Sequence, residues 1–158
     1  MAGVTIHQMD ETLDGGAIVA QEAVPLIEGE PGDALERRCT ETGGRLLAQS
    51  VRALAAGTAR PTPQGAGASY EPWPQAADFA VPADRSARWA FNFVRGTTYW
   101  GEAHTLVVEG TRYHVREALA YDDEATLDAP LWREGLRLRV RCAPGVLEVL
   151  ADPLPGTG

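Results

Sequence analysis

The sequence predicts an α+β fold in which a β-hairpin and a helix are followed by a small β-barrel. Three observations carry this prediction: two strand-like runs before residue 27, one long amphipathic helical run after them, and several short strand-like runs in the last third of the chain. With 44% hydrophobic residues in 158, the chain has enough apolar material for a packed core.

The hairpin is predicted from the first 26 residues. The run GVTIHQM, residues 3–9, alternates in polarity, whereas AIVAQEAVPL, residues 17–26, is largely apolar. Between them lies a polar stretch with three carboxylates, Asp10, Glu11 and Asp14. Asp14-Gly15 is a tight-turn signal, so we expect two strands joined by an oversized acidic tip.

A helix is predicted next. Asp33 is expected to cap it, with Glu36 in a capping-box arrangement, and Gly57 follows its last apolar turn. Gly43-Gly44 would either bend this helix or allow close packing. The apolar positions that fall roughly on one face are Leu35, Cys39, Leu46, Leu47, Val51 and Leu54.

A Pro/Gly-rich stretch at residues 57–75 cannot hold a long helix, and we interpret it as an extended linker. After it, DRSARWAFNFVRG predicts a short amphipathic helix from an Asp84 cap to Gly96. The runs AHTLVVEG, RYHVREALAY and LRLRVRCAPGVLEVL then indicate strands. Several short strands within about sixty residues are typical of a small barrel.

Alternation in RLRVRC places Leu138, Val140 and Cys142 on one face of a strand and three arginines on the other. This Arg row comprises Arg137, Arg139 and Arg141. It is expected either to contact phosphates or to form a solvated face paired with acidic neighbours such as YDDEATLD.

Composition restricts the function. The net charge is −8, from 22 acidic residues against 14 basic ones, all of them Arg, which disfavours a polyanion-binding surface over the whole protein. No apolar stretch reaches membrane-spanning length and no secretory leader is recognised, so we expect a cytoplasmic protein that does not bind membranes. Cys39 and Cys142 indicate neither a disulfide nor a zinc site, and we assign no metal ligands.

The stretches GVTIHQMDETLDGGAIVAQ, GTARPTPQ, SYEPWP and FNFVRG, in this order and spacing, resemble the 10-formyltetrahydrofolate-dependent formyltransferases, most nearly the methionyl-tRNA formyltransferases. The resemblance covers nearly the whole chain. It implies that residues 1–57 are the C-terminal part of a Rossmann-like catalytic domain, residues 58–79 a linker, and residues 80–158 a C-terminal OB-like barrel. It also implies that an N-terminal folate-binding half, with a catalytic Asn and His, is missing from this sequence.

The resemblance assigns roles to the acidic tip. Asp14 matches the family's catalytic carboxylate, which orients a His, stabilises its charge and helps to relay protons. Asp10, Leu13, Gly15 and Gly16 would lie against the pterin of 10-formyltetrahydrofolate, if a partner chain completes the site. Formyl transfer passes through an oxyanion that needs hydrogen-bond donors, and an ionised carboxylate offers none.

Three functions are consistent with these features. The first is a fragment or split half of a formyltransferase that acts on methionyl-tRNA or an amino sugar, completed by a separate polypeptide. The second is a non-catalytic module that binds RNA or protein. The third is a small repurposed enzyme that uses Asp14 with a nearby histidine, the candidates being His7, His104 and His114.

We also expect self-association. In an α/β domain the first strand would pair with strands that precede it, so the hairpin alone exposes a sheet edge and an apolar face.

Overall fold

The computed structural model describes residues 1–11, 13–65 and 71–155. The chain forms two compact units. The first comprises Met1–Ile27 and Asp33–Pro72, and the second comprises Glu28–Gly32 and Trp73–Gly158. The mixture of helices and sheets agrees with the predicted α+β class.

The first unit contains the predicted hairpin. Strand β1 (Ala2–His7) pairs antiparallel with β2 (Ile18–Val24), and the register shifts by one residue next to His7. Such a bulge locally increases the twist of the hairpin where its acidic tip begins. The predicted strands were therefore correct in type, although both end earlier than the apolar runs suggested.

Helix α1 (Gly32–Ala55) contacts the hairpin, and its Arg45 forms an ion pair of 2.5 Å with Glu22 of β2. A Cβ added at Gly43 would lie 3.3 Å from the Cγ1 atom of Val4, so this glycine permits the close packing that was one of its two predicted roles. Val24 and Leu46, 4% and 6% exposed, form the buried apolar centre of the unit. Because the helix already includes Asp33 in its first turn, the prediction of Asp33 as the capping residue was wrong.

The apolar face predicted for α1 is only partly buried. Leu46 is covered, but Leu47, Val51 and Leu54 are 52%, 56% and 43% exposed. Adjacent residues on a helix point about 100° apart, so Leu46 and Leu47 cannot both face the hairpin. One helix packed against two strands buries a single stripe of its own side chains. A second apolar stripe of α1 therefore remains at the surface.

The segment after α1 is not extended throughout. Thr62 forms an isolated antiparallel bridge with Ile18, and Ala76–Phe79 form a 3-10 helix. Residues 66–70, which include part of the predicted linker and of the SYEPWP stretch, lie outside the described residues.

A five-residue segment of the N-terminal sequence, Glu28–Gly32, belongs to the second unit. The Glu28 carboxylate accepts a hydrogen bond of 2.6 Å from Arg88, and the Gly29 amide donates one of 2.7 Å to the Asn92 side chain. Arg95 in turn donates to the Gly29 carbonyl at 2.6 Å. Nothing in the sequence pattern indicated this assignment, because every partner lies 60 or more residues away.

Helix α2 (Ala87–Thr97) begins later than predicted. Its N-cap is Ser86, whose hydroxyl accepts a hydrogen bond of 3.1 Å from the Trp89 amide, and not Asp84. Ala87, Ala90 and Val94 recur at helical spacing and are buried against the sheet of the second unit.

That sheet has six strands in the order β3-β4-β5-β8-β7-β6. Among the strand pairs of the described residues in this sheet, β3–β4 alone is parallel. The strands are β3 (Ala80–Val81), β4 (His104–Val108), β5 (Thr111–Asp122), β6 (Leu131–Glu134), β7 (Arg137–Arg141) and β8 (Val146–Pro153).

The run LRLRVRCAPGVLEVL contains two strands, β7 and β8, separated by a turn in which the Cys142 amide donates to the Gly145 carbonyl at 2.8 Å. The short strands β3 and β6 were not predicted. β3 and β6 lie at the two ends of the strand order, with no ladder joining them within the described residues, and the OB-like barrel stays a prediction.

Candidate functional site

The candidate site is the acidic loop, residues 8–17, which joins β1 to β2. Three of its described side chains are largely exposed to solvent: Met9 is 94% exposed, Leu13 is 82% exposed, and the Asp14 side chain is 82% exposed. A loop that leaves two large apolar side chains beside a carboxylate in water offers both a hydrophobic and a charged contact to a ligand.

The backbone of the loop has an unusual conformation at Asp14 and Gly16. Asp14 adopts φ 54°, in the left-handed region, which Asp and Asn tolerate better than most other residues with a side chain. Gly16 is buried, and a Cβ placed there would lie 1.7 Å from the Gln8 carbonyl oxygen. Only glycine fits at this position, because the two sides of the loop approach each other across it.

Two sets of hydrogen bonds close the loop. The Gln8 amide donates to the Ala17 carbonyl at 2.9 Å, which extends the hairpin by one pair. From the other side, the Nε2 atom of Gln64 donates to the carbonyl oxygens of Asp14, at 2.6 Å, and of Gly16, at 2.8 Å. The position of the loop thus depends on a residue that follows α1.

His7 is the histidine that lies beside the acidic loop. Its Nε2 atom is 3.6 Å from Oδ1 of Asp14, and its Nδ1 atom is 3.0 Å from the Gln8 carbonyl oxygen. A carbonyl can only accept, so Nδ1 carries a hydrogen and Nε2 faces the carboxylate. At 3.6 Å the two side chains lie within ion-pairing distance of each other at the tip of the hairpin.

The other histidines lie in the second unit. His104 is 2% exposed, its Nε2 atom is 2.7 Å from Oγ1 of Thr97, and its ring packs edge-on against Phe79 and Phe93 at 5.5 Å each. Burial, and to a lesser degree the charge of His114, lowers the pKa of His104 below its ordinary value of 6.5. His104 is accordingly a neutral core residue.

The predicted site residues of the hairpin tip all belong to the acidic loop, as their neighbouring sequence positions require. Asp10, Leu13, Gly15 and Gly16 lie with Asp14 on one loop, and Gly16 is the buried member of this set. Sequence reasoning did not find Gln64, although a signal was present, since Gln64 ends the GTARPTPQ stretch that carried part of the resemblance.

The Arg row lies on β7 with the predicted alternation, because Leu138 and Val140 are 0% and 1% exposed while the arginines face outward. Arg137 forms an ion pair of 2.6 Å with Glu148 of β8. Arg141 donates to the carbonyls of Leu127 and Asp128 at 3.5 and 3.4 Å. The acidic stretch YDDEATLD thus contacts the Arg row through backbone oxygens.

Two negative findings concern the described part of the chain. It contains no group of three or more His, Cys, Asp or Glu side chains with the geometry of a metal site. It also contains no helix with the length and hydropathy needed to cross a bilayer.

Comparison with known proteins identifies relatives of both units. The family model described as "Formyl transferase" matches residues 1–51, which include the acidic loop. Methionyl-tRNA formyltransferase of Gluconobacter oxydans is 33% identical over 156 residues, and that of Streptococcus suis is 27% identical over 149 residues. The matches cover 98% and 94% of this chain, but it spans only about half the length of these relatives, 50% and 47%.

Solved structures with the same fold include sugar N-formyltransferases and HypX. An N-formyltransferase from Helicobacter canadensis, solved with folinic acid and dTDP-3-aminofucose, superposes with a TM-score of 0.66 at 13% identity. The match covers 96% of this chain and 55% of that one. HypX from Aquifex aeolicus superposes with a TM-score of 0.65 at 16% identity, covering 97% of this chain and 29% of HypX.

Proposed function

Because the chain belongs to the formyltransferase family, we propose that it forms part of an enzyme that transfers a formyl group from 10-formyltetrahydrofolate to an amine. The observation that carries this proposal is the acidic loop. It lies within the residues matched by the family model, and the structure holds its carboxylate in a defined, solvent-facing turn.

Asp14 is the proposed catalytic carboxylate. The attacking amine must lose a proton as its nitrogen bonds to the formyl carbon, and a carboxylate near that nitrogen can accept or relay this proton. Asp14 is suited to this role because its side chain is exposed and lies beside His7. The oxyanion that forms at the same time needs hydrogen-bond donors, which Asp14 does not supply when it is ionised.

The folate would lie against the acidic loop. Asp10, Leu13, Gly15 and Gly16 are the proposed contacts, and the exposed apolar side chain of Leu13 would contact one face of the flat pterin ring. When bound, 10-formyltetrahydrofolate supplies the formyl group. Two relatives support a folate ligand, since the Helicobacter protein was solved with folinic acid and one HypX structure with tetrahydrofolic acid.

We propose that the remaining catalytic groups, an Asn and a His by family resemblance, come from a folate-binding segment outside these 158 residues. That segment would complete the site, whether it belongs to the same polypeptide or to a separate one. The second unit would then be an OB-like barrel, whose bending is favoured by the two register irregularities where β5 pairs with β8. The complex would work in the cytoplasm.

The proposed acceptor is the amine of methionyl-tRNA or of an amino sugar. The curated relatives include methionyl-tRNA formyltransferases, whereas a structural neighbour was solved with dTDP-3-aminofucose. The Arg row favours tRNA, because arginines on one strand can contact successive phosphates. The same row favours the alternative of a non-catalytic RNA-binding module, and the His7–Asp14 pair favours the alternative of a small enzyme with its own chemistry.

One experiment separates these functions. The chain would be assayed for formyl transfer to methionyl-tRNA and to a dTDP-amino sugar, alone and mixed with the N-terminal half of a methionyl-tRNA formyltransferase. We expect no turnover by the chain alone, and turnover by the mixture that falls about 10²- to 10⁴-fold in Asp14→Asn. Turnover by the chain alone that depends on Asp14 would instead identify a small enzyme, and RNA binding without turnover in any mixture would identify a binding module.

A further inference from the structure

Gln64 reaches the acidic loop because the chain after α1 returns along β2. The Ile18 amide donates to the Thr62 carbonyl at 2.8 Å, and the Thr62 amide donates back to the Ile18 carbonyl at 2.9 Å. This pair of hydrogen bonds anchors the backbone two residues before Gln64. The Gln64 side chain therefore starts from a fixed point beside the loop.

The amide nitrogen of Gln64 is shared between the two ends of the turn. Nε2 lies 2.6 Å from the Asp14 carbonyl oxygen and 2.8 Å from the Gly16 carbonyl oxygen. A primary amide has two hydrogens, one for each carbonyl. A glutamate at this position would have nearly the same shape but would present oxygens to both carbonyls.

The turn needs an external constraint at Asp14. The residue has φ 54°; Asp tolerates this left-handed region better than most residues, but the conformation still costs free energy that the surroundings must offset. Gly16 is already confined by the Gln8 carbonyl, which would meet a Cβ at 1.7 Å. By donating to both carbonyls, Gln64 thus links the left-handed residue Asp14 to the confined residue Gly16.

We propose that Gln64 is a positioning residue that holds the Asp14 turn in its left-handed conformation and so directs the Asp14 carboxylate toward His7 and the reacting amine. The catalytic part of this inference rests on the proposed function, whereas the effect on the turn does not. If the backbone at Asp14 relaxed to an ordinary conformation, its carboxylate would turn away from the Nε2 atom of His7, now 3.6 Å distant.

The test is NMR spectroscopy of the isotope-labelled full chain. In the unmodified protein we expect hydrogen-bond couplings from the Gln64 side-chain nitrogen to the carbonyl carbons of Asp14 and Gly16, and a left-handed backbone signature at Asp14. In Gln64→Glu the left-handed signature should be lost while the signals of β1, β2 and α1 persist. Gln64→Lys, which restores a donor, should recover the signature at least in part.

A matched control is Gln49→Glu, which makes the same change at an exposed position of α1 and should leave the turn unaltered. Retention of the left-handed conformation by Gln64→Glu would overturn the proposal. So would a general loss of signals in both Gln64→Glu and Gln64→Lys, since that would indicate support of the fold and not of the turn.

Activity gives an independent readout. In a reconstituted enzyme we expect Gln64→Glu to lower kcat at least tenfold with little change in KM for the folate, and Gln64→Lys to restore part of the loss. An unchanged kcat together with a displaced turn would overturn the catalytic part. If the unmodified mixture shows no turnover, the proposed function fails, while the NMR result still decides whether Gln64 holds the turn.

Discussion

At the residue scale, the same residue type has different roles according to its surroundings. His7 lies at the surface beside a carboxylate, whereas His104 is enclosed by aromatic rings and hydrogen-bonded to Thr97. Two serines differ in the same way. Ser86 caps α2, whereas the buried hydroxyl of Ser50 has no hydrogen-bond partner in the described part of the chain.

His104 should make the second unit sensitive to acid. Its pKa is lowered in the folded protein, mainly by burial, so the unfolded chain binds the proton more readily. The contribution of neutral His104 to the free energy of unfolding is complete above about pH 6.5 and is lost as the pH falls below that value toward the pKa of the folded protein. The free energy of unfolding should fall by no more than about 1.4 kcal/mol per pH unit from this cause.

Urea unfolding of the second unit between pH 7.5 and 5 measures this effect, and His104→Gln should flatten the dependence. His114→Gln is the comparison variant, which should retain most of the acid sensitivity, because burial is the larger cause of the shift. An equal slope in the parent and in His104→Gln would contradict the assignment.

Serine-to-alanine substitutions should have opposite effects on stability at Ser86 and Ser50. Ser86→Ala removes the hydroxyl that accepts from the Trp89 amide and should cost about 1 kcal/mol. Ser50→Ala removes a buried hydroxyl without a partner and should raise stability by up to about 1 kcal/mol. Thermal unfolding of both variants beside the parent decides this, and a large loss of stability in Ser50→Ala would indicate a partner outside the described residues.

At the element scale, β7 separates core and surface residue by residue. Alternate side chains of a strand point to opposite faces, so the apolar and the charged residues of RLRVR occupy different environments. One face packs in the core of the second unit, and the other carries the Arg row, where Arg137 is paired with Glu148. Each face supports a separate prediction.

Leu138→Ala should destabilise the second unit by about 2 to 5 kcal/mol, because Leu138 is 0% exposed and its truncation leaves a cavity in the core. Leu136→Ala, two residues earlier, is the matched control. Leu136 is 43% exposed, so its truncation should cost far less. Comparable midpoints for the two variants in urea unfolding would be inconsistent with the alternation of β7.

The Arg row should make tRNA binding depend on salt. Replacing Arg137, Arg139 and Arg141 by Ser should flatten the plot of log affinity against log salt by about 0.7 to 0.9 per lost contact. Glu148→Gln should strengthen binding, because it frees Arg137 from its ion pair. Glu102→Gln, on an exposed segment away from β7, controls for the change in net charge.

Fluorescence titration of tRNA at several salt concentrations provides the slopes. If the triple variant binds tRNA with the same slope as the parent, the Arg row is a solvated face whose charges are satisfied within the protein.

At the scale of the whole molecule, apolar surface remains in the first unit. The exposed stripe of α1 contains Leu47, Val51 and Leu54, and within the described residues the hairpin forms a sheet of two strands. A two-stranded sheet leaves the outer edge of each strand available for pairing, apart from the single bridge to Thr62. Both features favour association with another polypeptide.

We therefore expect the isolated chain to self-associate when no partner is present. Val51→Lys, at a position 56% exposed, should shift the equilibrium toward monomer by placing a charge in the exposed stripe. Ile6→Lys tests the first strand, although Ile6 is partly covered and its replacement also perturbs the unit itself. Gln49→Lys, on the same helix at a polar position, is the control.

Sedimentation velocity over a dilution series measures the association. A chain that stays monomeric and folded at high concentration would contradict this prediction. Dissociation of the self-associated chain on addition of the N-terminal half of a formyltransferase would connect the self-association to the proposed formyltransferase complex.

The sequence by itself determined the hairpin, α1, the alternation of β7 and the family, because periodicity and turn chemistry are local and the motif lies on one continuous stretch. Tertiary structure alone decided that Gln64 closes the acidic loop, that Glu28–Gly32 join the second unit, and which apolar residues of α1 are covered. These features depend on groups about 40 to 90 residues apart, which a local pattern cannot bring together and only the packed chain can.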